Sequence, residues 1–220
     1  MDTQAPPLPD EHPTGGSAVD GPTSAGPEAS RQHRRARLIT DGVEPKNVII
    51  AALPLVGVGR YGLVGLGWAV FAALFAAVIP TWFIRHGMRR GRIEDRHVGR
   101  RQRRLVVLPF VMLSVLTSLV TLVLLDAPAD MTAMVLAMFA SLVPLLLVTV
   151  WWKISVHTAV TSGAIICVAI ALGPWWLLAY PLVPLVGWSR VLLRDHTPAQ
   201  TVAGSVVGAL TAGLVFWAAR

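Results

Sequence analysis

From residue 47 onward the chain alternates long apolar runs with short polar breaks. The runs are 47–58, interrupted by Pro54 and closed by Gly59-Arg60; 61–84; 105–125, closed by Asp126-Ala127-Pro128; 131–152; 159–172, closed by Gly173-Pro174; 175–188, carrying Pro181 and Pro184; and 198–219. A run of about 20 apolar residues has the length of a helix that crosses a bilayer. Inside hydrocarbon a helix satisfies its own backbone polar groups. The pattern therefore predicts an all-α, polytopic membrane bundle of about six transmembrane helices, six or seven according to whether 47–58 crosses. The tryptophan pairs Trp151-Trp152 and Trp175-Trp176 fall at run ends, where amphipathic rings favour the headgroup layer. Gly204 and Gly208, four residues apart, predict a close helix–helix contact.

Composition agrees. Of the 220 residues, 54% are hydrophobic and only 14% charged, with a mean hydropathy of +0.61. A soluble domain carries about a quarter of its residues charged, so a soluble globular class is excluded. Residues 1–30 differ: Pro, Gly, Ser, Thr and Ala dominate, and the segment is expected to be a disordered tail. It has no apolar stretch of the kind a secretory signal needs. Residues 31–46 follow as a basic juxtamembrane segment with Arg31, Arg34, Arg35 and Arg37, expected to meet anionic lipid headgroups and no nucleic acid. Residues 47–220 form the membrane domain. The single cysteine, Cys167, lies within an apolar run and reads as a small buried hydrophobe.

Three polar breaks hold nearly all the chemistry: 85–104, 153–157 and 189–196. Two runs separate the first from the second, and two more separate the second from the third. An even number of crossings returns the chain to the same face, so all three breaks are expected on one side. Of the 19 Lys and Arg residues, 17 fall on that side and only Arg60 and Arg220 on the other. Excess Lys and Arg mark the cytoplasmic face. The expectation is a multi-pass cell-membrane protein with its N-terminus and polar breaks on the cytoplasmic side.

Within the third break stand Ser189, Arg190, five residues, and His196. Within the second stand Lys153, Ser155 and His157, and within the first Arg96 and, seven positions on, Arg103. In this order the breaks resemble the three motifs of the type 2 phosphatidic acid phosphatase family, Lys-x6-Arg-Pro, Pro-Ser-Gly-His and Ser-Arg-x5-His-x3-Asp. The third matches best, with Gln200 where the family has Asp. The second keeps Ser and His and loses Pro and Gly. The first has Arg for Lys and Arg104 for Pro, and a frame shifted by one would use His97 and Arg104. The resemblance covers roughly residues 92–208.

The resemblance implies a metal-independent hydrolase without a cofactor, acting on a lipid or prenyl phosphate. His196 is implied as the nucleophile, forming a phosphohistidine, and His157 as the general acid. Gln200 would orient His196 in place of the carboxylate. Arg190, Arg103 and Arg96 would bind phosphate, for which the planar guanidinium fork is suited, with Lys153 and Ser155 adding a charge and a hydroxyl. Other readings are a degenerate relative that binds or moves phospholipid without hydrolysis, and a membrane scaffold. The tail, the headgroup and the choice between monomer and homodimer stay open at this level.

Overall fold

The computed structural model describes residues 27–89 and 100–220, apart from the side chains at 27, 29, 88–89 and 100–106. The described residues form helices and no strand: α1 (Pro27–Gly42), α2 (Pro45–Ala73), a π-helical turn (Leu74–Val78), α3 (Ile79–Arg89), α4 (Arg100–Leu124), α5 (Ala129–Trp151), α6 (Val156–Leu172), a 3-10 turn (Pro174–Ala179), α7 (Leu182–Leu192) and α8 (Pro198–Ala219). Four stretches are long and apolar enough to cross a membrane, Pro45–Gly87, Val107–Leu124, Ala129–Trp151 and Pro198–Ala219, and α6 is a shorter apolar helix beside them. The all-α membrane bundle expected from the apolar runs is the fold observed.

The first of these stretches doubles back. Gly62 adopts φ +59° and ψ −138°, a left-handed backbone that glycine tolerates. A β-carbon on Gly57 would sit 2.4 Å from the Gly65 carbonyl oxygen, and one on Gly65 would sit 2.0 Å from the Gly57 oxygen. Positions eight apart on a straight helix are separated by about 12 Å, so the chain has reversed between them. The apolar runs 47–58 and 61–84 are thus the limbs of one tight hairpin, closed glycine against glycine. Its tip is pinned to the start of α5. Arg60 Nε lies 2.7 Å from Asp130 Oδ2, and the Tyr61 hydroxyl donates to the same oxygen at 3.0 Å. Asp130 is buried.

The tip defines one end of the bundle, the distal end. The α4–α5 turn lies there. Gly59 faces Leu172 at the end of α6, and Arg220 donates to the Ile170 carbonyl. The two cations expected opposite all the others, Arg60 and Arg220, therefore share this end. Lys153 to His157 and Ser189 to His196 gather at the opposite, proximal end. Trp151 and Trp152 mark the proximal end and Trp175 and Trp176 the distal one. All four are exposed, as rings in the headgroup layer would be.

A second close seam joins α6 to α8. A β-carbon on Gly208 would meet the Ala159 oxygen at 2.1 Å, and one on Gly204 would meet the Ser155 oxygen at 2.4 Å. Only glycine lets the two backbones come this close, which is how helices associate where lipid removes the hydrophobic drive. Side-chain hydroxyls then bridge the seam. Thr158 donates to the Thr201 carbonyl at 2.9 Å and Ser162 to the Ser205 carbonyl at 2.8 Å.

Two expectations need correction. Residues 27–30 belong to the first turn of α1, so the tail expected over 1–30 extends too far. Pro27 at the helix start and Glu28 in the first turn suit the helix N-terminus. The remainder of that tail lies outside the described residues. The run 175–188, counted above as one helical segment, is not one helix. Pro181 stands between the 3-10 turn and α7, which has 11 residues and is about 16 Å long.

Candidate functional site

The third polar break is built by a helix end that turns the chain sharply into the next helix. At the end of α7 the Arg194 N–H bonds the Val191 carbonyl at 2.9 Å and the Asp195 N–H bonds the Arg190 carbonyl at 3.0 Å. This is the paired bonding of a Schellman cap, with Arg194 at φ +56° in the position usually held by glycine. The turn brings the Asp195 carboxylate back to Arg190, with Nη2 and Oδ2 3.2 Å apart. It also delivers His196 to the threshold of α8.

His196 is buried, and its surroundings define its tautomer. Thr197 and Gln200 form a capping box at the start of α8. The Thr197 backbone N–H donates to Gln200 Oε1 at 3.1 Å, and the Gln200 N–H donates to the Thr197 hydroxyl oxygen at 3.3 Å. A backbone N–H needs an acceptor, which identifies the facing amide atom as oxygen. The same Oε1 lies 3.2 Å from His196 Nδ1. Nδ1 must then carry the proton and donate. In the neutral ring the lone pair is on Nε2. The contact that the resemblance implies between His196 and Gln200 is present, through an uncharged side chain.

Lys153 and Ser155 approach the same turn from the α5–α6 connection. Lys153 Nζ donates to the Asp195 carbonyl. The Ser155 N–H donates to the Gln200 carbonyl at 3.2 Å, which ties the starts of α6 and α8 together. Ser155 is fully buried, and its hydroxyl oxygen caps α6 by accepting from the Thr158 N–H. Its position is that of a helix cap behind the site. His157 sits half-buried in the first turn of α6. The positive ends of two helix dipoles therefore open beside Arg190, Lys153 and His196.

Arg190 is largely enclosed. Its side chain is 13% exposed, and its Nε is buried with no hydrogen-bond partner. Burial pulls the guanidinium below its ordinary value, against the pull of Asp195 and of Asp41 from α1. The α1 contact has no signal in the motifs. Thr40 Oγ1 lies 3.0 Å from Ser189 Oγ, both side chains buried. Ser189 already donates its one proton to the Val186 carbonyl at 2.8 Å, so Thr40 is the donor between them. Arg96 and His97 lie outside the described residues. Arg103 and Arg104 are on α4, and their side chains lie outside the described ones.

Beside the site runs an open apolar groove of about 430 Å³ between α6, α7 and α8. Thr158, Val183, Gly187, Trp188, Val191 and Val202 line it, and it ends at Pro198 and Thr201, next to the His196 turn. No family model, no curated protein and no solved structure matches the chain.

Proposed function

We propose that the protein is an integral membrane phosphatase that hydrolyses a lipid or prenyl phosphate through a phosphohistidine. The observation that carries this reading is the bond from His196 Nδ1 to Gln200 Oε1. It holds a buried imidazole in the tautomer whose Nε2 can attack, among the cations Arg190 and Lys153. The unpartnered Nε of Arg190 suits an arriving phosphate oxygen, once Asp195 gives way. The groove suits the tail of an amphiphile whose headgroup enters the cationic end.

In this reading the Nε2 lone pair forms a bond to phosphorus as the bond from phosphorus to the lipid oxygen breaks. His157 gives that leaving oxygen its proton. Arg190 and Lys153 balance charge on the non-bridging oxygens, the role that the family resemblance also gives to Arg103 and Arg96. Water, losing a proton to His157, then cleaves the nitrogen–phosphorus bond and releases inorganic phosphate. The excess of Lys and Arg at the proximal end points to a cytoplasmic site and a phosphate made inside the cell. The test is phosphate release from lipid and prenyl phosphates by detergent-solubilised protein, with His196→Ala alongside.

A second reading, a relative that binds phospholipid without hydrolysis, has specific support. Gln200 lacks the charge that would stabilise a positive imidazole, and Ser155 is committed to capping α6. Lipid phosphate binding without phosphate release would select it.

A further inference from the structure

α1 is polar nearly all round and touches the bundle along one narrow stripe. Ala36 is fully buried and Thr40 nearly so, one turn apart. Arg31, Arg34, Arg35 and Leu38, spaced i, i+3, i+4 and i+7, lie on the opposite face. All four are exposed, Leu38 at 65%. Glu28, one turn before Arg31, is the acid in the first turn of α1, and the three arginines leave this face with a net positive charge. Two residues separate α1 from Pro45, where the first membrane-crossing stretch begins, so the helix sits at the bilayer boundary. Arginines around one exposed leucine at that depth complement an anionic headgroup layer.

The buried stripe leads to the site. Thr40 donates to Ser189, the neighbour of Arg190, and Asp41 adds its negative charge near the same guanidinium. If α1 leaves α7, Ser189 loses its donor and Arg190 loses one of its two carboxylate neighbours.

We infer that α1 is a contact for anionic membrane lipid and that its docking is transmitted to the Arg190–His196 turn through the Thr40–Ser189 hydrogen bond. Each arginine near an anionic surface favours the bound state by about fivefold, so removing three weakens it on the order of a hundredfold. Such a contact goes beyond hydrolysis and needs no substrate to test.

The experiment is hydrogen exchange on the full chain in nanodiscs of phosphatidylcholine alone or mixed with phosphatidylglycerol. Amides of α1 and of residues 189–196 exchange more slowly in the anionic discs, and high salt removes the difference. The triple variant Arg31→Gln, Arg34→Gln, Arg35→Gln loses the slowing in both segments. Thr40→Val keeps it in α1 and loses it at 189–196. Equal α1 exchange in the two bilayers overturns the lipid contact. Slowing confined to α1 in the unaltered protein, or surviving at 189–196 in Thr40→Val, overturns the coupling. Should the triple variant fail to fold, the salt titration of the unaltered chain tests the same contact, and slowing that high salt leaves in place overturns it.

Discussion

Replacing Gln200 by Glu changes one atom of the His196 support and leaves its reach intact. The carboxylate oxygen would take over two hydrogen bonds, from His196 Nδ1 at 3.2 Å and from the Thr197 N–H at 3.1 Å. Bonds to a charged acceptor exceed neutral ones by about 1 kcal/mol each, and a negative charge in the first turn of α8 adds about 0.3–1 kcal/mol. The expected gain is about 2–3 kcal/mol with His196 protonated. The carboxylate raises the proton affinity of folded His196 relative to the unfolded chain. The extra stability is thus fully present below the unfolded histidine value of about 6.5 and is lost as pH rises through the folded value. The introduced carboxylate must itself be ionised, which holds above about pH 5. Thermal unfolding followed by the intrinsic fluorescence of the eight tryptophans should show a rise of about 4–12 °C at pH 6 and a smaller one at pH 9. Gln200→Met, which removes the acceptor, should lose about 1–3 kcal/mol from the stranded donors. An equal gain for Gln200→Glu at both pH values would refute the imidazole–Gln200 contact.

Arg194→Gly should raise stability by about 1 kcal/mol, because glycine occupies the left-handed cap of α7 without the β-carbon penalty; no gain by thermal unfolding would count against the Schellman geometry. Gly208→Ala drives a β-carbon to 2.1 Å from the Ala159 oxygen and should cost about 1–3 kcal/mol or more. It should also lower phosphate release, since the α6–α8 seam sets the Ser155–Gln200 contact. Asp130→Ala removes the acceptor that clamps the hairpin tip. Its unfolding temperature should fall while phosphate release at the remaining folded fraction stays unchanged, because the clamp lies at the distal end.

What the sequence made readable follows from how membrane helices encode themselves. Apolar runs bounded by Gly, Pro and charge mark the helices, and the break at Gly59-Arg60 falls at what the structure shows to be a hairpin tip. The i, i+4 spacing of His196 and Gln200 foretells their contact, because α8 starts between them at Pro198 and its Thr197 cap draws Gln200 back. The meeting of the second and third breaks was readable from the parity of crossings. Other features were hidden. α1 has no apolar face to give it periodicity, and its contact rests on the small residues Ala36 and Thr40, which carry no pattern. The clamp from Arg60 and Tyr61 to Asp130 joins residues about 70 positions apart, and Arg60 read alone as a cation on the sparse face. Ser155 read as a phosphate donor from its motif, while its burial as the α6 cap depends on where α8 lies.

The central claim is tested most directly by phosphate release from purified protein with a panel of lipid and prenyl phosphates, without added metal and with chelator, for the unaltered chain and for His196→Ala. The account predicts release from at least one amphiphilic phosphate that survives the chelator and vanishes in the variant. Release that persists in folded His196→Ala would contradict it, as would no release from any substrate by the folded, unaltered chain.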